Sequence, residues 1–269
     1  MGDDRPRRGL KPPPSVLAAF GAAGVPEPLA GGQGSSWRVG DLVLKPLDAS
    51  AEELAWLEHV LGAIRCDGFR VAPPVRGAGG ALTVDGWTAW RAVEGRHEER
   101  RWPAIIAVGE RFHAAVAGFE RPVLIDRRTN PWAIGDRVAW GELPLEAFAG
   151  VKHVQCLADA LRPVEAPSQP VHTDLTGNVL FDERLPPAVI DFSVQWRPTG
   201  YASAIVVADA LVWEGADESL LDAVAHIEEF EQHLLRALIF RAVVSHLFRT
   251  DEGDPYLPAV ELACRLAGE

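Results

Sequence analysis

Asp174, Asn178 and Asp191 are the residues of this chain whose types and order could carry chemistry. They lie in His172-Thr-Asp174-Leu-Thr-Gly-Asn178-Val-Leu-Phe and in Val189-Ile-Asp191-Phe-Ser. One carboxylate able to accept a hydroxyl proton, with a carboxamide and a second carboxylate able to hold Mg²⁺ against nucleotide phosphates, is the equipment of phosphoryl transfer. The apolar triplets at 179–181 and 188–190 predict two short strands joined by a turn over 182–187. Such a hairpin brings Asn178 and Asp191 to the same end, where they can act on one ion. Taken alone, Asp-Leu-Thr-Gly-Asn also suits a plain loop, so the reading needs support from elements elsewhere in the chain.

Upstream, Gly31, Gly32, Gly34 and Ser35 form a glycine-rich turn that opens into Asp41-Leu-Val-Leu-Lys45, an alternating strand ending in a lysine. Backbone N–H groups at Gly32, Gly34 and Ser35 can approach phosphate oxygens, and a lysine on a strand can reach the α- and β-phosphates. The G-x-x-x-x-G-K-[ST] pattern of P-loop nucleotidases is absent. Over 50–64, Leu54, Leu57, Val60, Leu61 and Ile64 recur at helical spacing. Ser50 with Glu53 three residues on fits a capping box; Glu53 also stands where a helix carboxylate could pair with Lys45.

In this order of elements the chain resembles the aminoglycoside phosphotransferase and choline kinase family, distant relatives of the protein kinases, and within it an actinobacterial phosphotransferase-like group. The resemblance implies an α+β, bilobal protein kinase-like fold, with a small antiparallel-sheet N-lobe and a mainly helical C-lobe. It implies Asp174 as catalytic base, Asn178 and Asp191 as Mg²⁺ ligands, His172 as a buttress of the loop, and a Lys45–Glu53 pair. ATP would be the phosphoryl donor, its adenine read by the backbone of a connector that contains Arg91 and Val93. The acceptor would be a hydroxyl of a small molecule. In the family the asparagine usually follows the catalytic aspartate by five residues; here it follows by four, and Gly177 is the residue able to absorb the difference. That shorter loop motivates the alternative of a nucleotide-binding regulatory pseudokinase with little activity.

The remaining elements are expected as an N-terminal mobile arm at 1–14, an N-lobe at 15–94 and a C-lobe at 95–269. Helices are expected at 15–20, 104–117, 144–161, 202–213 and 220–248, and strands at 71–75, 81–84 and 86–91. His113 reads as a core histidine and Asp209 as a structural helix residue. The segment 121–140, dense in charge and aromatics without clear period, reads as a loop of the kind that often carries recognition. Arg127, Arg128 and Trp196, with Arg197, are the candidate acceptor contacts, an arginine cluster suited to a carboxylate or phosphate on the acceptor.

Composition sets outer bounds. At 269 residues with 48% hydrophobic content the chain can bury a substantial core. A net charge of −12 argues against nucleic acid as a partner. With no apolar run near twenty residues and no signal-peptide core, a cytoplasmic enzyme without a membrane segment is expected. Cys66, Cys156 and Cys264 are scattered and expected as buried, reduced thiols.

Overall fold

The computed structural model describes residues 10–29, 34–250 and 253–268. The chain forms two compact units. The first runs to His97 and takes in Gly177–Phe192; the second comprises Glu98–Thr176 and Ser193–Glu269. The expected lobe boundary at 94/95 thus lies near the chain's passage between units, but the 177–192 hairpin groups with the first unit.

The first unit opens with α1 (Pro14–Phe20), whose start accepts Val16 N–H at the Pro13 carbonyl. Residues 10–13 of the expected mobile arm are therefore held, and Trp37 Nε1 also donates to the Leu10 carbonyl at 2.9 Å. Strands β1 (Glu27–Pro28), β2 (Trp37–Val39) and β3 (Leu42–Pro46) follow as an antiparallel run. In β3, Leu42 and Leu44 alternate inward and join Val16, Phe20, Val39, Trp87 and Ala89 in the core of this unit. Helix α2 (Ala51–Ala63) starts where Ser50 Oγ accepts the Glu53 N–H at 3.1 Å, and it buries Leu54, Leu57, Val60 and Leu61. Two short strands, β4 (Arg70–Val71) and β5 (Pro74–Val75), precede the hairpin of β6 (Thr83–Val84) and β7 (Trp87–Arg91). Its two-residue turn, Asp85-Gly86, holds positive φ at both residues, as such a hairpin demands. Strand β7 pairs with both β3 and β5, so Lys45 lies opposite Thr88.

The second unit begins with α3 (Trp102–Val116). The expected loop at 121–140 is instead a 3₁₀ turn over Val123–Arg127 followed by α4 (Pro131–Ala139). The start signal was present: Asn130 Oδ1 accepts the Ala133 N–H at 2.9 Å, and Pro131 is the first helical residue. Helix α4 is core rather than recognition loop, since a Cβ on its Gly135 would meet Val244 and Phe240 side chains at 2.7 and 3.1 Å.

The expected helix at 144–161 breaks into a 3₁₀ turn at Leu145–Phe148 and α5 (Val154–Asp159). The cause is tertiary: His153 turns to φ +69°, and its ring and Lys152 both reach Asp254, at 2.7 and 2.6 Å. Strand β8 (Gln169–His172) then leads into the loop of Asp174.

The chain returns to the first unit as the hairpin β9 (Val179–Leu180) and β10 (Ala188–Val189). Asp182 Oδ1 accepts the N–H groups of Arg184 and Leu185 in its turn, and β10 pairs in parallel with β4. Back in the second unit, β11 (Val194–Arg197) pairs antiparallel with β8. Helix α6 (Thr199–Trp213) is buried along most of its length. The expected helix at 220–248 is a 3₁₀ segment, Glu218–Val224, then α7 (Phe230–Phe248). Between them Glu229 adopts φ +53°, with its carboxylate accepting the Glu165 N–H. Helix α8 (Leu257–Gly268) closes the unit.

The cysteines depart from expectation. Cys66 and Cys156 are exposed, and Cys156 Sγ lies 3.6 Å from Cys264 Sγ across α5 and α8.

Candidate active site

The Lys45 ammonium on β3 meets the Asp191 carboxylate just past β10 at 2.5 Å, with Asp48 at 3.5 Å and the Trp90 ring face 5.0 Å away. Burial works against the ammonium, but the charges of Asp191 and Asp48 outweigh it and hold Lys45 above its ordinary value. Asp191 and Asp48 are ion partners of Lys45, while the Glu53 N–H caps α2 on Ser50 Oγ. Asp191 adopts φ +53°, uncommon for a residue with a Cβ.

The hairpin register brings Asn178 to the same end. Its carbonyl accepts the Ile190 N–H at 3.0 Å, one residue before Asp191. Gly177 has φ +82°, the left-handed conformation that the shortened loop called for. Among the described residues no three His, Cys, Asp or Glu side chains gather into a metal site. The donors present, one carboxamide just before β9 and one carboxylate just past β10, are hard oxygens. They fit an ion that takes its other ligands from phosphates and water, as Mg²⁺ does.

Of the glycine turn, Gly34 has φ +66° and Ser35 is half-buried; the loop is closed by Leu29 N–H donating to the Ser36 carbonyl at 2.9 Å. Gly32 lies outside the described residues. In the connector, Arg91 commits its N–H to the Pro73 carbonyl and its guanidinium to Asp41. The Glu94 carbonyl accepts from Arg70 at 2.7 Å. The Arg91 backbone N–H is thus engaged within the sheet, and Val93 is half-buried.

The Asp174 loop is built within the second unit. The Asp174 N–H donates to His172 Nδ1 at 3.2 Å, and the His172 N–H donates to His113 Nε2 at 3.0 Å. Burial, with His172 nearby, pushes His113 down to about 3, so it stays neutral and accepts at Nε2. His113 is in the core as expected, and through His172 it also supports the Asp174 loop. A Cβ on Gly109 would come within 2.5 Å of Leu175 Cδ1, so α3 packs directly under the loop. Arg241 on α7 reaches Asp174 Oδ1 at 3.6 Å while forked onto Asp209 of α6 at 2.7 and 2.6 Å.

The family model of the phosphotransferase enzyme family, APH, matches residues 17–194. The chain belongs to that family. Its fold is that of the aminoglycoside phosphotransferases, with an antiparallel sheet near the N-terminus and a helical C-terminal region. The aminoglycoside phosphotransferase from Alicyclobacillus acidocaldarius subsp. acidocaldarius DSM 446 superposes with TM-score 0.59 at 13% identity, over 97% of this chain and 93% of that one. The AMP-bound complex of spectinomycin phosphotransferase APH(9)-Ia gives 0.54 at 12% identity, over 93% and 96%. A thermostable mutant of APH(4)-Ia, in ternary complex with AMP-PNP and hygromycin B, gives 0.55 at 16%, over 94% and 96%. No curated protein matches by sequence.

This phosphotransferase is a small-molecule kinase by family, and its candidate acceptor contacts fall into two groups. Arg127 is exposed, Trp196 is half-buried on β11, and Arg128 donates to the Val194 carbonyl at 2.6 Å. Arg197 leaves the expected arginine cluster. It is buried, forked onto Asp136 at 2.6 to 3.3 Å and bonded to Glu142 at 2.6 Å. Its charge is consumed inside the unit. Sequence reasoning missed Arg241, although an arginine amid the apolar run of α7 was a visible signal.

Proposed function

We propose that this protein transfers the γ-phosphoryl group of ATP to a hydroxyl of a small molecule. The observation that carries the reading is the Lys45–Asp191 pair: a strand lysine and the second aspartate of the motif, 146 residues apart, meet within one unit. That pairing is what a nucleotide-binding lysine and a metal-binding aspartate require, and a plain turn at Asp191 gives no reason for it.

In this reading Lys45 orients the α- and β-phosphates, while Gly32, Gly34 and Ser35 offer backbone N–H groups and Val93 reads the adenine edge. Asp191 and Asn178 would hold a Mg²⁺ ion, which neutralises charge on the β- and γ-phosphates. Asp174 accepts the acceptor's hydroxyl proton. Its backbone is set by His172, and His172 in turn by His113. Because the transition state of phosphoryl transfer is loose, positioning and charge stabilisation supply most of the rate.

Arg127, Arg128 and Trp196 would border the acceptor, with Arg127 and Arg128 favouring an anionic or neutral molecule over a polycation. Among the described residues no helix is long and apolar enough to cross a membrane, in keeping with an enzyme of the cytoplasm.

Asp174→Asn tests the core of this reading. ATP turnover should fall roughly 10²- to 10⁴-fold, with calorimetric Mg²⁺–ATP affinity retained. A variant that keeps its rate removes Asp174 from the mechanism. Binding of ATP without turnover in the parent would point to the regulatory alternative. Screening metabolite extracts for an ATP-dependent gain of one phosphate identifies the acceptor; an aminoglycoside would remove Arg127 and Arg128 from its recognition.

A further inference from the structure

We propose that Arg241, fixed by Asp209, is the positioning residue that aims the Asp174 carboxylate at the acceptor hydroxyl. This rests on Asp174 being the base.

Arg241 sits where a charge is costly. It is 7% exposed on α7, among Leu238, Ile239, Phe240, Val243 and Val244, all buried. Asp209 on α6, equally buried, neutralises it through two parallel hydrogen bonds, Nε to Oδ1 and Nη2 to Oδ2. Burial opposes the cation, yet Asp209 more than offsets it and keeps the guanidinium charged. The rings of Phe240 and Trp132 lie 5.0 and 5.6 Å from its Cζ and help fix its plane.

Two apolar residues would fill this space at less cost, so stability alone does not explain the pair. The guanidinium reaches one group further. Nη2, which carries two hydrogens and gives one to Asp209, stands 3.6 Å from Asp174 Oδ1. Asp174 is 47% exposed, so a rigid interior charge touches a solvent-facing carboxylate. Two anchors then act on Asp174 at different points: His172 Nδ1 on its N–H, and Arg241 on one carboxylate oxygen. Catalytic contacts that are slightly long without substrate commonly tighten in the reacting complex.

The test is a mutant cycle on the full chain, read as ATP turnover with water as acceptor and as Mg²⁺–ATP affinity by calorimetry. Removing Arg241 alone would strand a buried carboxylate, so the main variant is the neutral pair Asp209→Asn with Arg241→Gln. It should lower kcat roughly tenfold, less than the loss of a general base, with ATP affinity within about threefold of the parent. In an Asp174→Asn background the same pair should change kcat no further, because a residue acting through Asp174 has nothing left to position. A merely structural role predicts the opposite, the same fold-loss in both backgrounds. Either that additive result, or full turnover in the folded pair variant, overturns the proposal. If the pair variant does not fold, Arg241→Lys decides: it keeps the charge without the fork, and should lose a few-fold in kcat only while Asp174 is present. An Asp174→Asn enzyme at full rate is a separate outcome that defeats the base reading itself, and this proposal with it.

Discussion

Replacing Arg197 by methionine separates a structural arginine from an acceptor-binding one. Asp136 is only 2% exposed on its side chain and Arg197 11%. Three contacts from Arg197 to Asp136, at 3.3, 3.1 and 2.6 Å, compensate the carboxylate. Burial already lifts the Asp136 carboxyl above its usual range against the pull of Arg197. Removing one partner of such a buried pair costs about 3–5 kcal/mol. The bond to Glu142 adds little, since that carboxylate is 43% exposed. At roughly 2–4 °C per kcal/mol for a body of this size, Tm should fall by roughly 10 °C. The deficit should also depend on pH. Stripped of Arg197, the folded carboxyl titrates still further above its unfolded value of about 3.9. Its cost is absent below that value and grows as pH rises through the folded pKa. The loss is therefore largest at neutral pH and shrinks toward acid. Asp136→Leu with Arg197→Met, which removes both charges, should recover most of the stability. Calorimetry at pH 7 and pH 5 measures all three proteins. An Arg197→Met variant with unchanged Tm but a raised acceptor KM would refute the assignment and return Arg197 to acceptor recognition.

Two further outcomes follow from the second unit. Folded His113, held down to about 3, refuses a proton that the unfolded chain takes up near pH 6.5, so stability is lost as pH falls from about 6.5 toward 3. From pH 7 to pH 5 the parent should lose about 2 kcal/mol more than His113→Leu. At pH 7 that variant should itself be weaker by about 1–3 kcal/mol, for the His172 N–H left without its acceptor. Equal pH slopes in urea titrations of the two proteins would count against a neutral, buried His113. Cys156 and Cys264, their sulfurs 3.6 Å apart, should close into a disulfide when treated with oxidised glutathione, which is reduced to two thiols as the pair gives up two electrons and two protons. Burial and the neighbouring thiol push Cys264 up to about 11, so closure should speed up in alkali. Thiol titration should then find Cys66 alone reactive; three reactive thiols after oxidation would show that the pair does not close.

Much of the chemistry was legible because it is local in sequence. The Asp174–Asn178–Asp191 order, the strand that carries Lys45 and the Ser50 cap are each set by neighbours a few residues apart, and period and turn chemistry expose such patterns. Gly177 is a clear case: a loop one residue short needed a left-handed residue, and the chain has a glycine there at φ +82°.

The partners of those residues were not legible, because charge pairing and helix breaks depend on groups far apart in the chain. A lysine on a strand specifies a cation but not which carboxylate meets it; folding brings Asp191 and Asp48 to Lys45. Apolar spacing over 144–161 and 220–248 predicts unbroken helices, yet His153 and Glu229 turn left-handed where Asp254 and the Glu165 amide bond them. Arg197 and Arg241 look alike in sequence, each an arginine beside apolar residues. One is spent on Asp136 and Glu142, while the other is forked onto Asp209 within reach of Asp174. The sequence by itself determined which groups can do chemistry, since that resides in side-chain type and short-range spacing. Only the tertiary structure decided which of them pair with one another, because a buried charge takes whichever partner the packing brings to it.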